Sequence, residues 1–186
     1  VRRGHLVIGE LLAAAAEQSM DAHGPFTAEE AVATAIELAA TRAGSRPVAV
    51  PTTDPLLEAL GLRAALVEAG ARLLEPDDPA WSASIGASGV GVTGATIAVA
   101  ATATLVLPCG PGRPRGTHIV PPAHICLLRT DAIVATLDDA LRMSEREGLP
   151  SNLSWVSGPS RTADLEMRRT LGVHGPKSVD LILIRA

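Results

Sequence analysis

Residues 46–74 read RPVAVPTTDPLLEALGLRAALVEAGARLL. A short apolar run at 46–51 lies between prolines. Helical sequence follows over 55–69, Gly70 is suited to stop it, and an apolar strand resumes at 71–74. Strand, helix and strand at this spacing predict a βαβ unit, with parallel strands joined by a right-handed crossover.

Working outward, residues 89–93 read as a strand of small residues, and 81–87 stay ambiguous between helix and loop. The apolar, Thr-containing run 97–107 fits two short buried strands or one bent strand. Three Pro and three Gly make 108–116 a loop, expected to be mobile. Further elements are a strand at 123–128, a helix at 133–147, a strand at 153–156, a short helix at 162–171 and a final apolar strand at 178–184. Upstream, Leu6, Leu11 and Leu12 share one face of a helix over 5–21, which His23-Gly24-Pro25 ends. A second helix over 27–42 opens on Thr27, with Glu30 where a capping box needs its carboxylate. The whole predicts an α/β fold: a three-layer α/β/α sandwich with a mainly parallel sheet (45–186), preceded by an N-terminal helical extension (1–44).

Composition narrows the function. The 186 residues are 47% hydrophobic and 19% charged, with net charge −4. The 32 Ala stand beside one Phe, two Trp and no Tyr, so the core must pack small and branched aliphatics closely. Fifteen Arg against one Lys, Lys177, point to a bacterial genome rich in G and C. Dispersed charge and a near-absence of aromatics argue against nucleic-acid binding. Apolar runs such as 97–107 fall far short of the roughly 20 residues of a membrane span. Val1-Arg2-Arg3 leads into a mixed segment rather than a signal-peptide core. A soluble cytoplasmic protein is expected. Cys109 and Cys126 form no disulfide framework or iron–sulfur motif. With His118 and His124 they make a C-x8-H-x5-H-x-C series, but its spacing is far from the usual zinc patterns. Small core residues are the better reading, and no metal is expected.

Three segments are candidates for chemistry. Ser157-Gly158-Pro159-Ser160-Arg161-Thr162-Ala163-Asp164 lies between a predicted strand and a predicted helix. At the carboxyl end of a strand such a junction is suited to an anion, through free helix N–H groups, the Ser160 and Thr162 hydroxyls and the Arg161 fork. The plain alternative is a helix cap. His174, within Gly172-Val-His-Gly-Pro176, is a proton shuttle, a ligand donor or a structural hydrogen-bonding residue. Thr93, Thr96, Thr102 and Thr104 sit among small residues that either let a ligand near the backbone or simply pack closely.

Taken in order, residues 93–107, Pro121-Pro122-Ala-His124-Ile, and Ser157–Asp164 with Gly172-Val-His-Gly-Pro176 resemble the LUD-domain family, of the lactate-utilisation protein C (LutC/YkgG) type. The resemblance covers roughly residues 45–185. It implies the α/β/α fold shared by glucosamine-6-phosphate deaminase, ribose-5-phosphate isomerase and CoA transferases (NagB/RpiA/CoA-transferase-like). It also implies a non-redox subunit in oxidation of L-lactate to pyruvate, with no cofactor in this chain and iron–sulfur clusters in LutA-like and LutB-like partners. Thr93, Thr102, Thr104, Ser157, Gly158, Ser160, Arg161, Thr162 and His174 are the expected ligand-binding residues. One departure matters: where the family commonly carries A-E-T-G-T, this chain has Ala100-Ala101-Thr102-Ala103-Thr104. With the carboxylate replaced by Ala101 and the glycine by Ala103, chemistry falls to Asp164 or His174, or the protein binds without catalysing. The alternatives are a stand-alone enzyme on a phosphosugar or acyl-CoA-like anion and a structural interaction module.

Overall fold

The computed structural model describes residues 2–163, 169–171 and 174–186. In chain order the first elements are α1 (Arg2–Glu17), β1 (Asp21–Phe26), α2 (Ala28–Ala43), β2 (Val48–Ala49), α3 (Pro55–Ala59), α4 (Leu62–Glu68) and β3 (Leu73–Leu74). Next come α5 (Trp81–Ser84), β4 (Val90–Gly94), β5 (Ile97–Val99), β6 (Thr104–Cys109), α6 (Gly116–Ile119) and β7 (Ala123–Arg129). The chain continues through β8 (Ile133–Val134), α7 (Leu137–Glu147), β9 (Asn152–Val156), β10 (Arg161–Ala163), β11 (Arg169–Leu171) and β12 (Ser178–Ile184).

The βαβ unit anchors a six-stranded sheet in the order β1-β12-β7-β4-β2-β3, parallel throughout. On one face, Ala31, Ala35, Ala39 and Ala43 of α2 line up at a four-residue repeat. They pack with α3 and α4 on Val90, Val92, Ile125, Leu127 and Ile182. The four methyl groups bring the helix close to the sheet, which is how an Ala-rich core packs densely without aromatics. On the other face, Leu11, Ala14 and Ala15 of α1 meet Cys126, Leu128, Leu181 and Leu183. The mainly parallel α/β sandwich is as the sequence predicts.

A second, four-stranded sheet, β8-β5-β6-β9, shares that face, and α7 covers its far side through Ala140 against Ile97, Val99 and Val106. The 97–107 run thus becomes an antiparallel hairpin. Its turn passes through Ala103, which is left-handed at φ 48°.

Several local expectations are corrected. Residues 21–26 do not merely end a helix: β1 pairs in parallel with β12 at the sheet's edge. Asp180 of β12, fully buried, takes two 2.9 Å hydrogen bonds from Arg42 of α2 and lies 3.2 Å from His23 of β1. Residues 1–44 therefore contribute a strand and a buried ion pair to the main sheet. The predicted 55–69 helix breaks at left-handed Gly61, and the predicted 133–147 helix begins only at Leu137, capped by Thr136 and Asp139. Of the expected helix at 162–171, residues 162–163 and 169–171 are strand instead, where β10 and β11 pair antiparallel; residues 164–168 lie outside the described residues. The Thr27–Glu30 capping box is present.

Candidate functional site

Strand order singles out one edge of the sheet. From β2 the chain steps outward to β3, then returns to β4 on the other side of β2. Ligands of open α/β sheets settle outside the carboxyl ends of strands at such a reversal. Asp54, after β2, and Gly94, ending β4, flank this point.

Asp54 is 2% exposed and fully engaged. Its Oδ1 accepts the Leu56 and Leu57 N–H groups at 3.1 and 3.3 Å, capping α3, whose first residue is Pro55. Its Oδ2 accepts the Gly94 N–H at 2.9 Å and Arg113 Nη2 at 3.3 Å. The 108–116 loop is held rather than loose: Gly112 O accepts the Thr52 N–H at 2.8 Å and Pro111 O accepts the Thr53 hydroxyl at 2.9 Å. That docking delivers Arg113 to Asp54. Outside the pair opens a cleft of about 350 Å³, with Arg113, Arg129 and Thr96 as polar groups and Leu56, Ala59 and Ala95 as apolar wall. The size is within the usual range for small-molecule sites.

Behind the pair lies a small cavity of about 10 Å³, room for one water, bordered by Asp54, Thr93, Arg113, Thr117 and His118. Thr93 Oγ1 is 2.8 Å from His124 Nε2, and the His118 and His124 rings lie 5.8 Å apart. Among the described residues Thr117 Oγ1, His118 Nε2 and His124 Nδ1 are buried without hydrogen-bond partners. Burial, with a smaller push from the Arg115 charge, lowers His118 to about 4, and burial, with a smaller push from His118, lowers His124 to about 3. Both rings are therefore neutral at pH 7. Burial pushes the Cys126 thiol up to about 12, so it is no thiolate. Cys109 Sγ, also buried, lies 3.5 Å from Ser154 Oγ. Among the described residues no three His, Cys, Asp or Glu side chains are close enough to share a metal ion.

The residues anticipated from sequence form a different cluster. Thr102 Oγ1 lies 2.7 Å from Thr104 Oγ1, which lies 2.7 Å from Ser157 Oγ. Gly158, at φ 92°, sits where a Cβ would come within 2.5 Å of Gln18 O beyond α1. Arg161 donates to Ser19 Oγ at 2.7 Å, and the Ser160 N–H to Pro176 O at 2.9 Å. His174 is exposed. Thr93 stands apart, in the histidine cluster. The Thr162 side chain and Asp164 lie outside the described residues. The Ser157–Ser160 junction is not at the sheet's carboxyl edge, because β9 belongs to the second sheet. Pro176 precedes β12, and the Lys177 N–H donates to Pro122 O ahead of β7, which places this cluster at the amino edge. Among the described residues no helix begins there: Arg161–Ala163, after the junction, is strand. Sequence reading missed Asp54, Gly94 and Arg113. The one local signal was Asp54-Pro55, a cap followed by the proline favoured at a first helical position.

Comparison with known proteins agrees with the motifs. The LUD domain model matches residues 8–184. A "Lactate utilization protein C" of Deinococcus radiodurans is 35% identical over 129 residues, 67% of this chain and 59% of that protein. A protein of the same name from Bacillus velezensis is 31% identical over 155 residues, 74% of this chain and 62% of its own length. The chain thus matches roughly three-fifths of the length of these two relatives. In three dimensions it resembles the crystal structure of a DUF162 family protein from Deinococcus radiodurans, with TM-score 0.70, 24% identity and coverage of 97% and 98% of the two chains.

Proposed function

The chain belongs to the LUD domain family, and on that premise we propose that it works in lactate utilisation, as a C-type subunit without a redox centre of its own. The observation that carries this reading is the similarity to proteins named Lactate utilization protein C over two-thirds of the chain or more. The cysteines fit it: two buried thiols, one held protonated, make poor cluster ligands. On this reading, iron–sulfur centres in LutA-like and LutB-like partners oxidise L-lactate to pyruvate, and this chain, in the cytoplasm, binds or organises. The test is lactate-dependent dye reduction by the three proteins purified together. Omitting this chain should lower the rate and the three should co-purify; unchanged rate without co-purification would overturn the reading.

A second reading, an enzyme acting on a phosphosugar or acyl-CoA-like anion, draws on the two arginines, Arg113 and Arg129, that line the switch-point cleft. A thermal-shift screen of sugar phosphates and CoA esters tests it. Saturation at about 100 times the dissociation constant stabilises by about 2.7 kcal/mol.

A further inference from the structure

The switch-point cleft and the water-sized cavity share Asp54, Gly94 and Arg113 as their common wall. Arg113 belongs to both spaces. Among the described residues its guanidinium makes a single side-chain contact, at 3.3 Å to Asp54, and its side chain is 16% exposed. Asp54 does not depend on that contact, since three backbone N–H groups also satisfy it. Arg113 can therefore turn a face of its fork to an incoming carboxylate without leaving a bare charge behind. Arg129 lines the same cleft and adds a second positive group, though Asp131 already engages it.

The cavity side supplies the complementary chemistry. His118 is 4% exposed and Thr117 is 1% exposed; both line the cavity, and His118 Nε2 and Thr117 Oγ1 have no partner among the described residues. Buried polar atoms left unmatched carry a cost that a bound oxygen would remove. The space admits one oxygen-sized group.

We propose that this double chamber binds a small 2-oxo or 2-hydroxy carboxylic acid. The carboxylate meets Arg113 at the wall, with Arg129 nearby. The oxygen on the next carbon enters the cavity against His118 and Thr117. The remaining carbon chain lies in the cleft against Leu56, Ala59 and Ala95. The chamber stands on geometry alone, whereas the choice of 2-oxo and 2-hydroxy acids over other bifunctional acids rests on the lactate-utilisation reading.

The test titrates the isolated full chain with pyruvate, L-lactate and propionate, following the histidine ring nitrogens by NMR and affinity by calorimetry. Pyruvate or L-lactate should move the His118 ring signals saturably. Propionate, which lacks the second oxygen, should bind at least about tenfold more weakly. Arg113→Gln should weaken pyruvate or L-lactate by at least about tenfold, a loss of about 1.4 kcal/mol, and Thr117→Val should narrow the preference over propionate. Where Arg113→Gln disturbs folding, Arg113→Lys and the signals of the unaltered protein decide. No saturable His118 response to either acid, or equal binding of propionate, overturns the proposal. Neither result depends on the partner proteins, so the chamber and the lactate-oxidation reading stand or fall separately.

Discussion

The Gly94 N–H donates to Asp54 Oδ2 at 2.9 Å, and a Cβ on residue 94 would lie 2.7 Å from Asp54 Oδ1 and 3.1 Å from Leu56 Cβ. The carboxylate reaches the end of β4 only because that residue has no side chain. Gly94→Ala should push Asp54 off its amide partners and destabilise the fold by about 1–3 kcal/mol. Asp54→Ala removes the α3 cap and leaves Arg113 without its anion, and should cost about 3 kcal/mol or more. Urea denaturation of both variants checks the order.

Gly91 faces a harder constraint. A Cβ there would fall 1.7 Å from Thr117 O, a backbone atom that cannot swing aside. Gly91→Ala should displace α6 and with it His118, at a cost of roughly 3 kcal/mol or more. A melting temperature within a few degrees of the parent would show that α6 is not seated as described.

The buried histidines set an acid limit. Their folded pKa values, about 4 for His118 and about 3 for His124, lie below the ordinary 6.5. Below pH 6.5 the unfolded chain binds protons that the folded chain refuses, so stability falls as pH falls and levels off only beneath the folded values. At pH 5 each ring should cost roughly 2 kcal/mol relative to pH 7. Urea midpoints between pH 4 and 7.5 measure the slope, and a flat profile would contradict the neutral, buried pair.

The hairpin turn sets backbone strain against burial. Ala103 occupies left-handed backbone, a conformation that favours glycine, and its methyl is buried. Relief of backbone strain and loss of methyl burial are both about 1 kcal/mol and opposed, so Ala103→Gly should stay within about 1 kcal/mol of the parent. Ala103→Val, β-branched at positive φ, should cost about 2 kcal/mol or more. Ala101 is exposed, so Ala101→Glu should fold with stability changed by less than about 0.5 kcal/mol. Calorimetric melting of the three variants compares them directly.

Asp180 tests whether residues 1–44 are part of the fold. Asp180→Asn keeps the shape but removes the charge that Arg42 engages twice. It should cost about 2–3 kcal/mol. A chain cut to 45–186 loses Arg42, His23 and the Ala31–Ala43 stripe together and should not show a cooperative unfolding transition.

Local signals carried the βαβ unit, the Thr27 cap and the strand at 178–184. Each rests on neighbours in sequence: an apolar period, a capping residue, a glycine stop. The same signals could not say which sheet a strand joins. The strand at 153–156 was legible, but its place in the second sheet was not. That placement moved Ser157–Ser160 to the amino edge, where Arg161–Ala163 continues as strand. Asp21–Phe26 was equally opaque, because an edge strand containing Gly and Pro has little local β preference and gains its ladder only from β12.

The family signature, the aromatic-poor Ala core and the absence of a cysteine motif were determined by the sequence itself. The site was a matter of tertiary structure. Gly94 and Arg113 lie 40 and 59 positions from Asp54 along the chain. They meet because β2 and β4 are neighbours at the reversal of strand order and because the Gly112 loop docks on Thr52 and Thr53. Such contacts are fixed by strand pairing and loop packing over long separations, which no local periodicity encodes.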